Sequence, residues 1–326
     1  MATARALMVP RTGDSSVLEV REVDVPPPGA GEVQVEVAAV GVNFIDVYQR
    51  QGVYPLPLPF VSCSEGSGTV TAVGDGVTEL AVGDRVAWGQ SLGSGASVVN
   101  RAADILVPVP DGLDLDVAAA AMLQGMTAHY LVNSTYAVGP GTVALVHAAA
   151  GGVGQLLVQM ITAKGGQVVA TAGSPDKLEI ARGLGATAVV NYREASDLAA
   201  EVRKANGGKG VDVVYDGVGK STFDASLASL GLRGMMVLFG GASGQVPPFD
   251  LQRLNAAGSL FITRPTLAHY TATREELLER AASVLGDLVA GTLRLEVGGR
   301  YPLDRAAAAY DDLEARRTTG KLLLVP

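Results

Sequence analysis

Residues 142–163 read TVALVHAAAGGVGQLLVQMITA, in which a glycine cluster separates two apolar stretches. The first stretch has the length of a buried strand, and the second repeats its apolar residues at i, i+3, i+4, i+7 and i+8 from Val153, which is helical spacing. The turn between them is an A-x-G-x-x-G sequence from Ala149 to Gly154. Such a turn between a strand and a helix lets the backbone approach a pyrophosphate at the helix N-terminus. We therefore predict a dinucleotide-binding turn, whose contacting residues are Ala150, Gly151, Gly152 and Val153.

The pattern of a strand followed by a helix repeats on the C-terminal side of this turn. The stretches QVVATAG, TAVVNY, GVDVVYDGV and RGMMVLFGG have the composition of strands, and segments of helical length separate them. Repeated units of this kind build right-handed βαβ crossovers and a parallel sheet covered by helices on both faces. The sequence therefore predicts an α/β fold that contains a doubly wound, Rossmann-type parallel-sheet domain.

The N-terminal third of the chain has a different pattern. Up to about residue 110, short alternating strands are separated by Gly, Pro and Asp, which favours a compact β-barrel or sandwich. The chain ends in KLLLVP, which is too short and too apolar to stand alone, so we expect it to return to this first domain. The expected organisation is a discontinuous substrate domain, residues 1–124 and 265–326, with a nucleotide-binding domain, residues 125–264, inserted.

Length and composition limit the classes of function. At 326 residues the chain has room for two domains of the usual ~150 residues. A net charge of −8 argues against binding to nucleic acid or to an anionic membrane. Residues 117–163 carry no charged side chain, yet Gly, Pro and Asn interrupt them, so buried strand and helix fit better than a membrane span. A single cysteine, Cys63, and an N-terminus without a long apolar run indicate a cytoplasmic protein.

The end of the second strand of the predicted parallel sheet bears on the choice of cofactor. NAD enzymes usually place an acid there, about 20 residues after the glycine-rich turn, to bind the ribose 2′-hydroxyl. Residues 169–174 read VATAGS and contain no acid, while Ser174, Lys177 and Tyr192 offer donors to a 2′-phosphate. This pattern favours NADPH over NADH. Ser174 is also suited to capping the next helix, and Asp176 would repel a phosphate.

Six motifs follow one another along nearly the whole chain: GVNFIDVY, GVTELAVGDRV, HAAAGGVGQ, GATAVVNYRE, DVVYDGVG and TRPTL. In this order they resemble the zinc-free quinone oxidoreductase branch of the medium-chain dehydrogenase/reductases, the group that includes zeta-crystallin. The resemblance implies a GroES-like β-barrel formed by both ends of the chain, an inserted Rossmann domain, and NADPH in the cleft. It also implies a homodimer.

The resemblance further implies that no catalytic zinc is bound. Zinc-dependent relatives carry Cys and His ligands where this chain has Asn43, and Gly-His-Glu where it has Cys63-Ser64-Glu65. A catalytic zinc needs three protein ligands, which Cys63 alone does not supply. The acceptor must then already be electrophilic, such as a quinone or an α,β-unsaturated carbonyl.

Three side chains near the first motif are candidates for catalysis. Tyr48, Tyr54 and Asn43 can donate hydrogen bonds to the negative charge that reduction places on the acceptor oxygen. The resemblance puts the matching residues beside the nicotinamide, and the tyrosine rings can also stack on a flat quinone. Packing on the barrel surface is the alternative for both tyrosines, and Asp46 is expected to orient the segment rather than react.

Further candidates for binding the cofactor come from the resemblance and from the strand ends. Thr127, Arg264 and Arg316 match family positions close to the cofactor, with a helix-start threonine and solvated arginines as the alternatives. His147, at the end of a predicted buried strand, is expected to be a core histidine. The remaining candidates are Gly173, Gly217, Phe239 and Gly240.

The expected activity is that of a zinc-independent NADPH:quinone oxidoreductase acting as a homodimer. The segment SLFITRPTL, residues 259–267, can form the edge strand of the parallel sheet, and an exposed apolar edge is a pairing surface. Two alternatives stay open. One is an NADPH-dependent reductase of 2-alkenal or enone double bonds. The other is an NADPH-binding protein with little turnover, crystallin-like or RNA-binding, although the negative charge argues against RNA.

Overall fold

A computed structural model describes residues 2–326 of the chain. They divide into two compact units. The first unit contains the described chain up to Met126 together with Thr271–Pro326, and the second unit is Thr127–Tyr270. The domain junctions expected from the sequence, after residues 124 and 264, lie a few residues before these.

Within residues 2–326 the chain forms sixteen strands and nine helices, joined by loops and short 3-10 or π turns. The strands are β1 Ala2–Val9, β2 Glu19–Val25, β3 Glu32–Gly41, β4 Phe60–Val61, β5 Gly66–Val73, β6 Arg85–Trp88, β7 Val98–Ala102, β8 Val107–Pro108, β9 Val143–Val146, β10 Gln167–Ala172, β11 Ala188–Asn191, β12 Val211–Asp216, β13 Leu230–Leu238, β14 Phe261–Thr263, β15 Val297–Pro302 and β16 Lys321–Val325. The helices are α1 Phe44–Arg50, α2 Leu115–Tyr130, α3 Gly152–Ala163, α4 Pro175–Gly183, α5 Leu198–Ala205, α6 Phe223–Ser229, α7 Gln252–Ala256, α8 Arg274–Ala290 and α9 Ala306–Glu314. None of these helices combines the length and the apolar composition that a membrane crossing requires.

The first unit is built from two mostly antiparallel sheets. The larger has the order β15-β16-β3-β5-β6-β8, with β7 also pairing with β3, and the smaller has the order β2-β1-β4. In β3, Val33, Val35 and Val37 are buried and alternate with more exposed polar residues, which is the strand period with one face toward the core. β16 pairs antiparallel with β3, and its Leu322 and Leu324 join the same core. The C-terminal segment therefore returns to the first unit, as its apolar sequence predicted.

The second unit holds one parallel sheet with the order β11-β10-β9-β12-β13-β14. Its central strands are apolar runs because helices cover both faces of such a sheet. The chain leaves β9 in one direction through β10 and β11, and returns to the other side through β12, β13 and β14. The strand order thus reverses between β9 and β12, and open α/β sheets bind ligands at the carboxyl ends of strands beside such a point. The predicted Rossmann-type sheet is confirmed.

Candidate active site

The glycine-rich turn joins β9 to α3 in a conformation that leaves no room for a side chain at Gly154. Ala148 has a positive φ of 50°, and the Gly151 N–H donates to the Ala148 carbonyl oxygen at 2.8 Å. A Cβ added at Gly154 would contact that same carbonyl oxygen and would lie 2.8 Å from the Ala149 Cα. Helix and strand therefore meet at backbone distance, which is the role of the last glycine in a dinucleotide-binding turn.

The N-terminus of α3 presents backbone donors without a side-chain cap. Gly151 is the N-cap residue in an extended conformation and contributes no capping side chain. The Gln155 side-chain amide donates to the Ala150 carbonyl oxygen at 2.9 Å and so fixes the turn from inside the unit. N–H groups in the first turn of a helix have no partner within the helix and favour an anion. The structure thus places Ala150, Gly151, Gly152 and Val153 in a turn suited to a pyrophosphate.

Five residues follow the ends of β10 and β11, and three of them meet there. Ser174 is the N-cap residue of α4, yet its side chain makes no capping hydrogen bond, so capping does not account for its hydroxyl. Lys177 follows in the first turn of α4. A Cβ added at Gly173 would lie 2.5 Å from the Tyr192 hydroxyl oxygen and 3.1 Å from Arg193 Nε. Arg193 was not among the residues predicted from the sequence, although its position directly after Tyr192 was a usable signal.

Four further candidates of the second unit lie at the carboxyl ends of β12, β13 and β14. A Cβ added at Gly217 would lie 2.9 Å from the Phe239 ring, and one added at Gly240 would lie 2.5 Å from the Gly217 carbonyl oxygen. Arg264 follows β14 and donates to the Leu238 carbonyl oxygen at 3.1 Å. The structure therefore brings Gly217, Phe239, Gly240 and Arg264 to the edge of the sheet where ligands bind.

Two predicted cofactor residues have other settings. Thr127 is buried and lies near the C-terminal end of α2, so the alternative of a helix-start threonine is wrong. Arg316 belongs to the first unit, where it has a positive φ of 58° in the turn after α9. Neither setting by itself assigns a contact to a cofactor.

His147 is a fully bonded core histidine, as expected. It is 2% exposed, with Nδ1 2.9 Å from Thr171 Oγ1 and Nε2 2.9 Å from Ser226 Oγ. The Ser226 hydroxyl in turn donates to Asp216 at 2.7 Å. Burial lowers the pKa of His147, which keeps the ring neutral. This chain of hydrogen bonds ties β9, β10, β12 and α6 together beneath the glycine-rich turn.

In the first unit, α1 carries one of the two candidate tyrosines and the following loop carries the other. The rings of Tyr48 and Tyr54 meet edge to face with centroids 5.4 Å apart, and the Tyr54 N–H donates to the Tyr48 carbonyl oxygen at 3.1 Å. Tyr54 is 39% exposed. Phe44 extends the aromatic group, with its centroid 6.2 Å from that of Tyr48. The structure therefore brings both tyrosines into one aromatic cluster.

Asn43 lies at the start of α1 and is held by a buried ion pair. Its Nδ2 donates to Glu65 Oε1 at 2.7 Å and to the Gly41 carbonyl oxygen at 3.3 Å, while its Oδ1 accepts from Lys321 Nζ at 2.7 Å. Lys321 also pairs with Glu65, and both side chains are buried, at 1% and 0% exposure. Both amide hydrogens of Asn43 are thus taken up within the unit, which argues against the donor role that we expected for it.

The ion pair of Glu65 and Lys321 was not foreseen from the sequence. Glu65 Oε2 also accepts the Leu123 N–H of α2 at 2.6 Å, so one carboxylate joins α2, β16 and the residue that precedes α1. The available signal was Lys321 itself, which is the one charged residue of the apolar run KLLLVP. A charge at the start of a buried strand needs a partner.

Asp46, one turn into α1, is also buried. Its Oδ2 accepts the Asn43 N–H at 2.8 Å and the Tyr310 hydroxyl at 3.0 Å, whereas its Oδ1 has no hydrogen-bond partner among the described residues. Burial is the main cause that raises the pKa of Asp46 to about 7. Arg50, at the other end of α1, pairs with Glu314 at 2.6 Å. Helix α1 is therefore fastened at both ends, and Asp46 orients it, as expected.

The donor set of this region does not suit a zinc ion. Cys63 is buried with Sγ 3.3 Å from the Tyr310 hydroxyl, and burial raises the pKa of its thiol. The oxygens of Asn43 and Glu65 already face the Lys321 ammonium. Among residues 2–326 no group of three or more His, Cys, Asp or Glu side chains is arranged to hold a metal ion. These residues therefore offer hydrogen bonds and a fixed positive charge rather than metal ligands.

Comparison with known proteins gives full-length matches. Two family descriptions match, "Alcohol dehydrogenase GroES-like domain" over residues 29–140 and "Zinc-binding dehydrogenase" over residues 152–283. The chain is 45% identical to a quinone oxidoreductase of Salmonella typhimurium over 318 residues, which cover 96% of this chain and 97% of the relative. It is 42% identical to a 2-haloacrylate reductase of Burkholderia sp over 314 residues, which cover 94% of each chain.

The fold is equally close to a solved structure. The crystal structure of Escherichia coli quinone oxidoreductase complexed with NADPH superposes with a TM-score of 0.96 at 41% identity, covering all of both chains. The first family description agrees with the antiparallel first unit, so the expected combination of a GroES-like domain and a Rossmann domain is confirmed.

Proposed function

The chain belongs to the quinone oxidoreductase branch of the medium-chain dehydrogenase/reductases, and from that premise we propose that it is a zinc-independent NADPH:quinone oxidoreductase. The observation that carries the proposal is the turn between β9 and α3, where Gly154 admits no side chain and the first turn of α3 lacks a side-chain cap. This geometry suits a dinucleotide pyrophosphate. When bound, NADPH supplies the hydride.

In this proposal most of the residues that hold the cofactor belong to the second unit. The pyrophosphate is bound at the turn formed by Ala150, Gly151, Gly152 and Val153, where N–H groups in the first turn of α3 donate to it. The 2′-phosphate is bound by Ser174, Lys177 and Tyr192, beside Gly173. The carboxyl edge of the sheet contacts the cofactor through Gly217, Phe239, Gly240 and Arg264. The remaining proposed cofactor contacts are Thr127 and Arg316. The E. coli relative that was solved with NADPH supports this choice of dinucleotide.

The acceptor is bound by the aromatic cluster of the first unit. The faces of Tyr48 and Tyr54 suit a flat ring, and their hydroxyl groups donate to the oxygen that becomes negative during reduction. Asn43 acts as a positioning residue, because its amide is bonded to Glu65 and Lys321. The reaction is proposed to be independent of zinc, because a quinone is electrophilic without a Lewis acid. The oxygens that could bind a metal, those of Asn43 and Glu65, face the Lys321 ammonium instead.

Reduction of a conjugated carbon–carbon double bond is the second candidate, and one observation favours it. A 2-haloacrylate reductase is nearly as similar to the chain as the quinone oxidoreductases are. Both reactions place negative charge on an oxygen conjugated to the carbon that accepts hydride, so the same tyrosine donors serve either one.

The proposed assembly is a homodimer in the cytoplasm. β14 is the edge strand of the parallel sheet, and its Phe261 is 55% exposed; Leu232 of β13 is 83% exposed. An exposed apolar edge strand is a pairing surface, and a second copy can extend the sheet symmetrically.

The activity is tested by following NADPH oxidation with ortho-quinones, para-quinones, alkenals and 2-haloacrylate in parallel, with and without a chelator. Quinone turnover that survives the chelator supports the proposal, and turnover of alkenals or haloacrylate alone moves the function to the second candidate. NADPH binding without turnover of any acceptor would leave a cofactor-binding protein of the crystallin type.

The tyrosines are tested in the same assay. The double variant Tyr48→Phe, Tyr54→Phe keeps both rings and removes both hydroxyl groups, so we expect kcat to fall by about 10-fold or more if they stabilise the developing charge. Tyr301→Phe, whose hydroxyl donates to Asp312 at 2.7 Å, is the control and should keep full activity. Full activity in the double variant would remove the tyrosines from catalysis.

A further inference from the structure

We propose that Arg193 is a specificity-determining residue of the cofactor site, which binds the 2′-phosphate on the adenosine ribose and so selects NADPH over NADH. This inference rests on the proposed function, which supplies the dinucleotide. It adds a guanidinium to the group of Ser174, Lys177 and Tyr192 that is proposed to bind the 2′-phosphate.

The sheet register puts Arg193 at the required place. β10 and β11 are parallel neighbours with Ala172 opposite Asn191, so both strands end at the same edge. Gly173 follows the first strand, and Tyr192 and Arg193 follow the second. The end of β10 is where an NAD enzyme holds the ribose hydroxyls with an acid, and an arginine nearby is the usual alternative for a 2′-phosphate.

The side chain of Arg193 lies across this strand end. A Cβ at Gly173 would be 3.1 Å from Arg193 Nε and 2.5 Å from the Tyr192 hydroxyl oxygen. Any other residue at position 173 would push these two side chains away. The absence of a side chain there lets a guanidinium and a hydroxyl converge over the backbone that leads into α4.

The charge of Arg193 is not used inside the protein. Its side chain is exposed and forms no ion pair with another residue in the range 2–326. The nearest acid in sequence, Glu194, accepts a hydrogen bond from the Asn191 side chain at 2.7 Å instead. A planar guanidinium donates two parallel hydrogen bonds to a phosphate, which a lysine ammonium cannot do with the same geometry. The convergence of an uncompensated guanidinium and the Tyr192 hydroxyl at Gly173, the residue before Ser174, therefore suits a phosphate dianion.

The test is a binding measurement on the purified full-length chain without any acceptor. Isothermal titration calorimetry with NADPH, NADH, 2′-phospho-AMP and AMP gives four dissociation constants for wild type, Arg193→Gln and Arg193→Lys. We expect Arg193→Gln to weaken the binding of NADPH and 2′-phospho-AMP by about 10- to 100-fold. Its dissociation constants for NADH and AMP should stay within about twofold of wild type. The NADPH affinity of Arg193→Lys should lie between those of wild type and Arg193→Gln, because lysine keeps the positive charge but lacks the two parallel donors of the guanidinium.

Arg182→Gln is the matched control. Arg182 is an exposed arginine of α4 that already pairs with Glu179, so its loss should change none of the four constants. The inference is overturned if Arg193→Gln leaves NADPH affinity within twofold of wild type, or if NADPH and NADH weaken equally.

The measurement also separates this inference from the proposed function. A wild type that prefers NADPH through Arg193 yet reduces no quinone would remove the proposed activity and leave the specificity role standing. A quinone reductase whose preference for NADPH survives Arg193→Gln would do the reverse.

Discussion

Lys321→Met removes one half of the buried ion pair beneath α1 and leaves the other half in place. Methionine has nearly the same length, so the variant deletes the charge without opening a large cavity. The Glu65 carboxylate, which is 0% exposed, would keep only the donors from Asn43 and from the Leu123 N–H. Asn43 Oδ1 would lose its 2.7 Å partner.

Removing one partner of a buried ion pair costs about 3–5 kcal/mol, because the remaining charge stays out of water. With a urea slope of about 2–3 kcal/mol per M, this lowers the midpoint of unfolding by about 1–2.5 M. Arg21→Met is the control, since Arg21 pairs with Glu19 at 2.6 Å while both side chains are about half exposed. Its cost should stay below about 1 kcal/mol.

Trp88 provides the signal for this experiment. It is the chain's one tryptophan, is 0% exposed, and belongs to the core of the first unit. A Cβ at Gly66, the residue after Glu65, would lie 2.8 Å from the Trp88 ring, so the indole packs close to the ion pair. Its fluorescence therefore reports unfolding of the unit that contains the substitution.

The double variant Glu65→Gln, Lys321→Met completes the cycle. It replaces both charges with neutral groups, so its cost should be smaller than the sum of the two single costs by about 1–3 kcal/mol. The reasoning is refuted if Lys321→Met costs no more than Arg21→Met. The reasoning is refuted equally if the cost of the double variant equals the sum of the two single costs within about 0.5 kcal/mol.

Three further predictions concern pH, the glycine-rich turn and assembly. Burial raises the pKa of folded Asp46 to about 7, above the usual value of about 4, so its contribution to stability is present below about pH 4 and is lost as the pH rises toward 7. Asp46→Asn should flatten this part of the pH dependence of the urea midpoint read from Trp88, and an unchanged dependence would contradict the assignment. Gly154→Ala forces a Cβ against the Ala148 carbonyl oxygen and should weaken NADPH binding by about 10-fold or more, whereas Gly183→Ala, whose added Cβ has no atom within 4 Å, should bind NADPH normally. Equal NADPH affinities of the two variants in calorimetry would argue against cofactor binding at this turn. Phe261→Lys places a charge on the exposed edge strand, so its sedimentation coefficient should fall to that of a monomer, whereas Val289→Lys, at an exposed site in α8, should sediment like wild type. A dimer that survives Phe261→Lys at micromolar concentration would place the interface elsewhere.

The sequence alone predicted those parts of the protein that depend on local pattern. Strand and helix periods between residues 142 and 238 predicted the parallel sheet, and A-x-G-x-x-G predicted the turn between β9 and α3. Both signals come from neighbouring residues, because periodicity and backbone freedom act within a few positions. The apolar KLLLVP segment also predicted its own return, since it had no other place to be buried.

Tertiary structure alone decided which polar groups are still available for a ligand. Asn43 looked like a substrate donor in the sequence, but its amide is bound to Glu65, 22 positions away, and to Lys321, 278 positions away. Arg193 was not singled out in the sequence, and only the register of β10 and β11 places it beside Gly173. The physical reason is the same in both cases: a polar side chain is satisfied by whatever the fold brings within about 3 Å, and no local pattern records that partner.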